Sequence, residues 1–268
     1  MSTADRFRAM HDDGLFVMPN AWDVGSARLL EHCGFPAVAT TSSGHAGSLG
    51  RLDQHVHRDE LLTHAESLVA AVSVPVSVDS EGCFPDEPGG VAGTVDLIAE
   101  TGAAGCSIED YHPTTGLLPI EVAVERVEEA AAAVARHGLV LTARAENHLY
   151  GVDDLHDTIS RLVAYRSAGA DVAYAPGLTA LVDIEQVVRA VGGPVNVLTV
   201  PGCPPIADLA AVGVRRISTG GSLAWVAYGA LVAAGTELLT TGTTSYLSAT
   251  LRPDDRDAAF GPAPPTPL

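Results

Sequence analysis

Short apolar runs alternate with amphipathic segments along the whole chain, and this alternation is the feature that most constrains the fold. Runs fall near 15–18, 36–40, 75–79, 104–108, 139–144, 171–175, 194–199 and 215–218. Segments with helical spacing fall near 22–32, 58–72, 90–101, 119–136, 153–168, 179–191, 205–211 and 222–235. Apolar runs of strand length cannot satisfy their backbone alone; flanked by helices, they pair as a parallel sheet buried on both faces. Eight such pairs in 268 residues predict an α/β fold, a single (β/α)8 TIM barrel. No linker composition divides residues 1–251. The Pro-rich stretch 252–268 reads as a disordered tail, and the Thr-rich segment 236–251 as an extra helix outside the barrel.

Three successive runs end in acids. Val74–Val78 leads into Asp79-Ser80-Glu81-Gly82, Ala104–Ser107 into Ile108-Glu109-Asp110, and Leu139–Thr142 into Ala143-Arg144-Ala145-Glu146. Active sites of such barrels lie at the C-terminal ends of the strands. Carboxylates gathered there repel one another unless a hard cation sits among them, so Asp79, Glu81 and Glu109 are candidate metal ligands. Arg144 fits a substrate carboxylate, or else neutralises the acids as a structural hub. Thr41-Ser42-Ser43-Gly44 reads as a hydroxyl loop with backbone donors for an anion, and Asp53 follows it. Asn196 lies in the seventh run. Ser218-Thr219-Gly220-Gly221 is either a phosphate cup or the cap of the last helix.

Composition excludes some chemistry. All 15 basic residues are Arg, so no Lys can form a Schiff base. A net charge of −18 argues against nucleic acid or an anionic membrane as partner. Cys33, Cys83, Cys106 and Cys203 form no CxxC pair, and together with the absence of a signal-like N-terminus they predict reduced thiols in a cytoplasmic protein. No apolar stretch reaches membrane-spanning length without a charge or a Gly. His11, His55, His57 and His64 lack ligand spacing and are expected at the surface, and Cys106 in the core.

Taken in order, these motifs resemble the isocitrate lyase and phosphoenolpyruvate mutase superfamily. The likeness runs from Pro19-Asn20-Ala21-Trp22-Asp23 to Ser218-Thr219-Gly220. It implies a Mg²⁺ site (Mn²⁺ as substitute) at Asp79, Glu81 and Glu109, reached directly or through water. It implies Arg144 on the carboxylate of a small 2-oxo or 2-hydroxy acid, with Glu146 beside it, and substrate contacts from Trp22, Thr41, Ser42, Ser43, Gly44, Asp53 and Asn196. It also implies a homodimer or homotetramer whose eighth helix is exchanged between subunits. The chain departs from the lyase branch after Glu109, where Asp110–Pro119 carries neither the Cys nor the Lys of that branch's loop. His112 is therefore the first candidate for the proton-transferring group, with Tyr111, Cys83 and His45 behind it. Three readings stay open: a Mg²⁺-dependent C–C lyase, a P–C bond enzyme, and a non-catalytic barrel that keeps its metal site.

Overall fold

The computed structural model describes residues 1–261. Its main sheet is parallel throughout, in the order β1-β11-β10-β9-β8-β5-β4-β3-β2. The strands are β1 (Phe16–Met18), β2 (Asn20–Ala21), β3 (Val38–Thr40), β4 (Val76–Asp79), β5 (Gly105–Glu109), β8 (Val140–Arg144), β9 (Val172–Tyr174), β10 (Val195–Leu198) and β11 (Arg216–Ser218). The two end strands, β1 and β2, are halves of one strand interrupted at Pro19. Proline has no N–H to give the ladder, but its carbonyl still accepts from Ala39 N at 2.9 Å. Counting the halves together, eight strands close into a barrel.

The helices that follow each strand are α2 (Val24–His32), α4 (Arg58–Ala71), α5 (Gly90–Glu100), α6 (Ile120–His137), α7 (Leu155–Ser167), α8 (Leu181–Val191), α9 (Ile206–Ala211) and α10 (Ser222–Thr240). Each expected segment thus forms, within a few residues. Their apolar stripes pack on the outer face of the barrel, where Ile98, Val127, Leu162, Ile184 and Leu209 are buried against Val78, Cys106, Leu141 and Ile217. Cys106 lies in that core, and all four Cys are free.

Three helices were not legible in the pattern. Helix α1 (Thr3–Ala9) plugs the N-terminal end of the barrel. Phe7 is fully buried there with Met18, Ala39, Ala104, Val140 and Val172. Gly105 is what admits it: a Cβ at that position would lie 2.5 Å from Val140 O and 3.0 Å from the Phe7 ring. Helix α3 (Ser42–Ser48) replaces the expected hydroxyl loop. Its Gly- and Ser-rich sequence has poor helix propensity, so packing and the Thr41 cap must sustain it. Helix α11 (Pro253–Phe260) occupies the start of the expected disordered tail, with Pro in its first turn and Asp254 and Asp255 beside it. It packs on α2, where Asp255 lies 3.7 Å from His32. The rest of the expected tail, 262–268, lies outside the described residues. A short 3-10 turn covers Ser245–Ala249, where an extra helix was expected.

Helix α10 is attached by its first turn and apolar beyond it. Ala224 is buried, but Val226, Leu231, Val232 and Leu239 are each more than two-thirds exposed. At 19 residues and mean hydropathy 1.4 the helix meets the length and apolarity of a membrane span, although Gly229, Gly235 and Glu237 interrupt it.

Phe7→Ala tests the role of the plug. It removes a ring from a closed pocket and leaves a cavity, so denaturant unfolding should show a loss of about 3–5 kcal/mol. A loss under about 1 kcal/mol would mean that α1 merely rests on a barrel closed without it.

Candidate active site

The barrel positions its polar residues by strand alternation. Side chains two apart on a strand share a face, so Ser77 and Asp79, Ser107 and Glu109, Thr142 and Arg144, and Arg216 and Ser218 all point inward. Hydrogen-bonded register then joins Glu109, Arg144, Tyr174, Asn196 and Arg216 into one row across five strands.

Arg144 is the centre of this arrangement. Its Nη1 donates to Asp79 Oδ1 at 2.8 Å and its Nε to Glu146 Oε1 at 2.7 Å, while Nη2 lies 3.2 Å from Glu109 Oε2. The guanidinium sits 5.4 Å from the centre of the Tyr174 ring. Asp79 also accepts from Ser42 N (3.0 Å) and Ser107 Oγ (3.2 Å). Glu109 accepts from Gln54 Nε2 at 2.7 Å.

One guanidinium does not neutralise so many acids. At an effective dielectric of about 20, two like charges about 4 Å apart cost ~4 kcal/mol. Burial raises the Glu109 carboxyl well above its usual range and the Glu146 carboxyl above its own, with Arg144 opposing both shifts. Glu81 has no cation in contact; burial, then Asp79 and Asp53, push it up to about 8. Its Oε1 is buried and has no hydrogen-bond partner. The backbone at Glu81 is itself strained, with φ at +49°, and Gln54 is held at φ +64°. Such conformations cost on the order of 1–3 kcal/mol each and persist where the surroundings hold them in place.

The residues fit a hydrated divalent cation. Among the described residues no three His, Cys, Asp or Glu side chains converge as a closed ligand cage. Mg²⁺ characteristically keeps several waters and takes only one or two carboxylates directly. Asp79 faces the cavity, and Glu81, at the adjoining cavity, has a buried unpartnered oxygen whose ionised form such an ion would favour.

The cavity has a volume of about 240 Å³, and Thr41, Ser42, Ser43, Asp53, Asp79, Arg144 and Asn196 line it. Glu109 and Glu146 stand behind Arg144 rather than in the cavity wall. Gly44 and Trp22 are packing residues: a Cβ on Gly44 would lie 2.9 Å from Trp22 Cβ and 2.6 Å from the Thr41 methyl. The backbone donors of the expected anion loop are largely used, since Gly44 N is capped by Thr41 Oγ1 and Ser42 N by Asp79. The phosphate-cup reading of 218–221 also falls, because Asn20 Oδ1 accepts from both Thr219 N (2.9 Å) and Gly220 N (2.8 Å).

His112 lies elsewhere. The hairpin of β6 (Tyr111–His112) and β7 (Gly116–Leu117) carries it into an adjoining cavity of about 260 Å³, shared with Glu81 and Arg126. Its Nδ1 accepts from Thr114 N at 3.2 Å. His55 and His57 are exposed, as expected. His11 is buried, and the His64 ring stacks on His45 at 3.7 Å; neither is a surface residue. The sequence does not single out Gln54, Tyr174 or Arg216, although Gln54 adjoins Asp53, Arg216 stands two before Ser218, and Tyr174 pairs across strands with Arg144 and Asn196. Behind the site, Asp110 ties the barrel to α7 through Arg161 Nη1 (3.0 Å) and Tyr165 Oη (2.6 Å), and accepts from Glu146 N (2.9 Å).

A family model described as phosphoenolpyruvate phosphomutase matches residues 7–239. The chain belongs to that family. It is 35% identical to an uncharacterized protein of Mycobacterium tuberculosis strain H37Rv, over 80% of this chain and 81% of that one. It is 30% identical to 2-methylisocitrate lyase of Escherichia coli, over 63% of this chain and 60% of the relative. The solved structure of a lyase/mutase candidate from Burkholderia cenocepacia superposes with TM-score 0.94 at 47% identity, over 99% of this chain and 98% of that one. A solved 2,3-dimethylmalate lyase superposes with TM-score 0.84 at 26% identity, over 97% and 95%.

The Glu81 carboxyl gives a pH test in the metal-free protein. An unfolded Glu ionises near 4.5, the folded one at about 8. Between these values the unfolded chain holds fewer protons, so stability falls as pH rises and levels off above about 8. In EDTA, wild type should lose on the order of 2–4 kcal/mol more than Glu81→Gln between pH 5 and 8.5. Parallel stability curves would refute the assignment.

Proposed function

We propose that this chain is a Mg²⁺-dependent lyase that cleaves the C–C bond next to the carboxylate–enolate unit of a small 2-oxo or 2-hydroxy acid. The observation that carries the reading is Arg144, fixed by three carboxylates at the wall of a cavity that Asp79 also faces. Relatives named as 2-methylisocitrate lyase and 2,3-dimethylmalate lyase favour C–C over P–C chemistry.

Asp79, Glu81 and Glu109 would hold the ion, directly or through water, and Mn²⁺ would suit the same oxygen donors. The ion supplies positive charge to an oxygen on which negative charge develops as the bond breaks. Arg144 has N–H donors left to clamp the substrate carboxylate. Glu146 is a positioning residue: it fixes Arg144 Nε and touches nothing in the cavity. Cleavage of a hydroxy acid removes a proton from its hydroxyl as the C=O forms, and returns one to the carbon that leaves as an enolate. His112 does not line the cavity that Arg144 and Asp79 face. Tyr174 lines it, and burial pushes its hydroxyl up to about 12. It keeps its proton at neutral pH and is the better candidate to deliver one.

The assembly reading belongs here too. We infer a homodimer or homotetramer in which α10, the eighth helix, is exchanged between subunits, so that its exposed apolar face is covered by a second copy. The face is apolar, and Glu237 is the helix's one charged residue, so contact there buries little charge although each chain carries −18. Apolar patches of this kind rarely stay open on monomers.

NMR with Mg²⁺ and a panel of oxaloacetate, isocitrate, 2-methylisocitrate, 2,3-dimethylmalate and phosphonopyruvate tests the chemistry. Cleavage of a carbon acid that EDTA abolishes is expected, with kcat/KM down about 10²–10³-fold in Arg144→Lys. A moving phosphorus signal with no carbon acid cleaved would transfer the reading to P–C chemistry, and silence throughout would leave a binding barrel. In sedimentation, wild type should run as a dimer or tetramer and Val226→Glu/Leu231→Glu as a monomer; a monomeric wild type would end the assembly reading.

A further inference from the structure

Gln54 is held in a backbone conformation that its residue type resists. It lies in the loop from α3 to α4 and lines the cavity that Glu81 and His112 share, while its neighbour Asp53 lines the one that Arg144 faces. Its φ is +64°, in the left-handed region where Gly or Asn sits at little cost and Gln does not. Its backbone N–H is taken up locally by Asp53 Oδ1 at 3.1 Å. Among the described residues its side chain makes one bond, to a residue 55 positions away: Nε2 donates to Glu109 Oε1 at 2.7 Å.

Four of the described residues other than Gly have positive φ, and all four gather at the candidate metal ligands. Glu81 is one such ligand, Cys83 and Phe84 follow it, and Gln54 bonds another. Strain of this kind persists where the surroundings hold it in place, and it collects at ligand clamps. At Gln54 the purpose is visible in what the amide does. Glu109 is buried, and its two oxygens have different partners: Oε1 takes Gln54 Nε2, and Oε2 faces Arg144 Nη2 at 3.2 Å. A carboxylate gripped at both oxygens is held against rotation about its last bond. It still has lone pairs to offer, because a carboxylate accepts at about four sites. Carboxylates that hold a metal are themselves hydrogen-bonded in this way, and the outer partner sets their aim.

We propose that Gln54 is a positioning residue of the metal site: its amide fixes the orientation in which Glu109 meets the ion or the ion's water, and the loop accepts a strained backbone to place that amide. The proposal rests on the ion of the reading above and not on the reaction. Gly or Asn would suit the backbone at 54 better, but Gly has no amide side chain and that of Asn is shorter by one methylene. The bland alternative is a tie that merely fastens the loop to the barrel. The same loop has another tie, Arg51 Nη1 to Glu60 Oε2 at 2.7 Å, which touches no candidate ligand.

Titration of the full chain with Mn²⁺ alone, with free ion counted by electron paramagnetic resonance, separates the two without turnover. Gln54→Gly and Gln54→Leu should both bind Mn²⁺ about 10–100-fold more weakly than wild type. In EDTA the two should differ in stability: both lose the bond to Glu109, but Leu keeps the strain that Gly relieves, so Gln54→Leu should melt lower. Equal loss of affinity at unequal stability is what positioning produces. Arg51→Met loosens the loop elsewhere and should bind Mn²⁺ as wild type does. Unchanged or tighter Mn²⁺ binding in Gln54→Gly would overturn the proposal. So would a loss in Arg51→Met as large as that in Gln54→Gly, which would make Gln54 a tie. A wild type that binds no Mn²⁺ would end this proposal and the metal reading together. Binding that depends on Gln54, with no acid cleaved, would sink the lyase reading and leave this one standing. Metal-dependent cleavage with Mn²⁺ affinity intact in Gln54→Gly would do the reverse.

Discussion

The rim of this barrel is organised around one guanidinium shared by three carboxylates. Arg144 is the counter-ion that allows Asp79, Glu109 and Glu146 to be buried near one another, and its contacts reach β4, β5 and the turn after β8. Removing a buried partner of this kind costs about 3–5 kcal/mol because the remaining charges lose their compensation. The balance is nevertheless incomplete. Glu81 is left with an unpartnered oxygen, a strained backbone and a carboxyl held near neutrality. The metal-free site is short of positive charge at its rim, which is the physical ground for expecting a divalent ion there.

The floor shows the opposite imbalance. Arg216 is buried among neutral acceptors, and His11, which could have carried charge, is held neutral by burial and then by that same Arg. A cavity with acids in excess at one end and a lone cation at the other is polarised along its length. This arrangement differs from a structural ion-pair network, in which charges are matched within the protein and the interior gains nothing from a ligand.

Much of the fold was readable because barrel strands and their helices have different periods. Each apolar run became a strand and each amphipathic segment a helix. The misses have specific causes. Ser42–Ser48 is a helix despite its composition, since Thr41 caps it and Trp225 Nε1 reaches Ser43 Oγ at 3.1 Å from α10. Pro253–Phe260 is ordered by docking on α2, and a tertiary contact of that sort leaves no trace in local composition. At the site, Asp79, Glu109 and Arg144 were legible because charge at the end of an apolar run stands out. His112 was chosen for nearness in sequence to Glu109, and a two-strand hairpin carries it into the next cavity.

Arg216 was missed although the signal for it was present. In an apolar strand flanked by helices, a polar residue two positions before a rim residue shares its inward face: Ser77 precedes Asp79, Ser107 precedes Glu109, Thr142 precedes Arg144, and Arg216 precedes Ser218. Counting only strand ends finds the rim and overlooks the floor. Every ligand of the proposed class brings a carboxylate to Arg144, so the rim confers reactivity without much choice of partner.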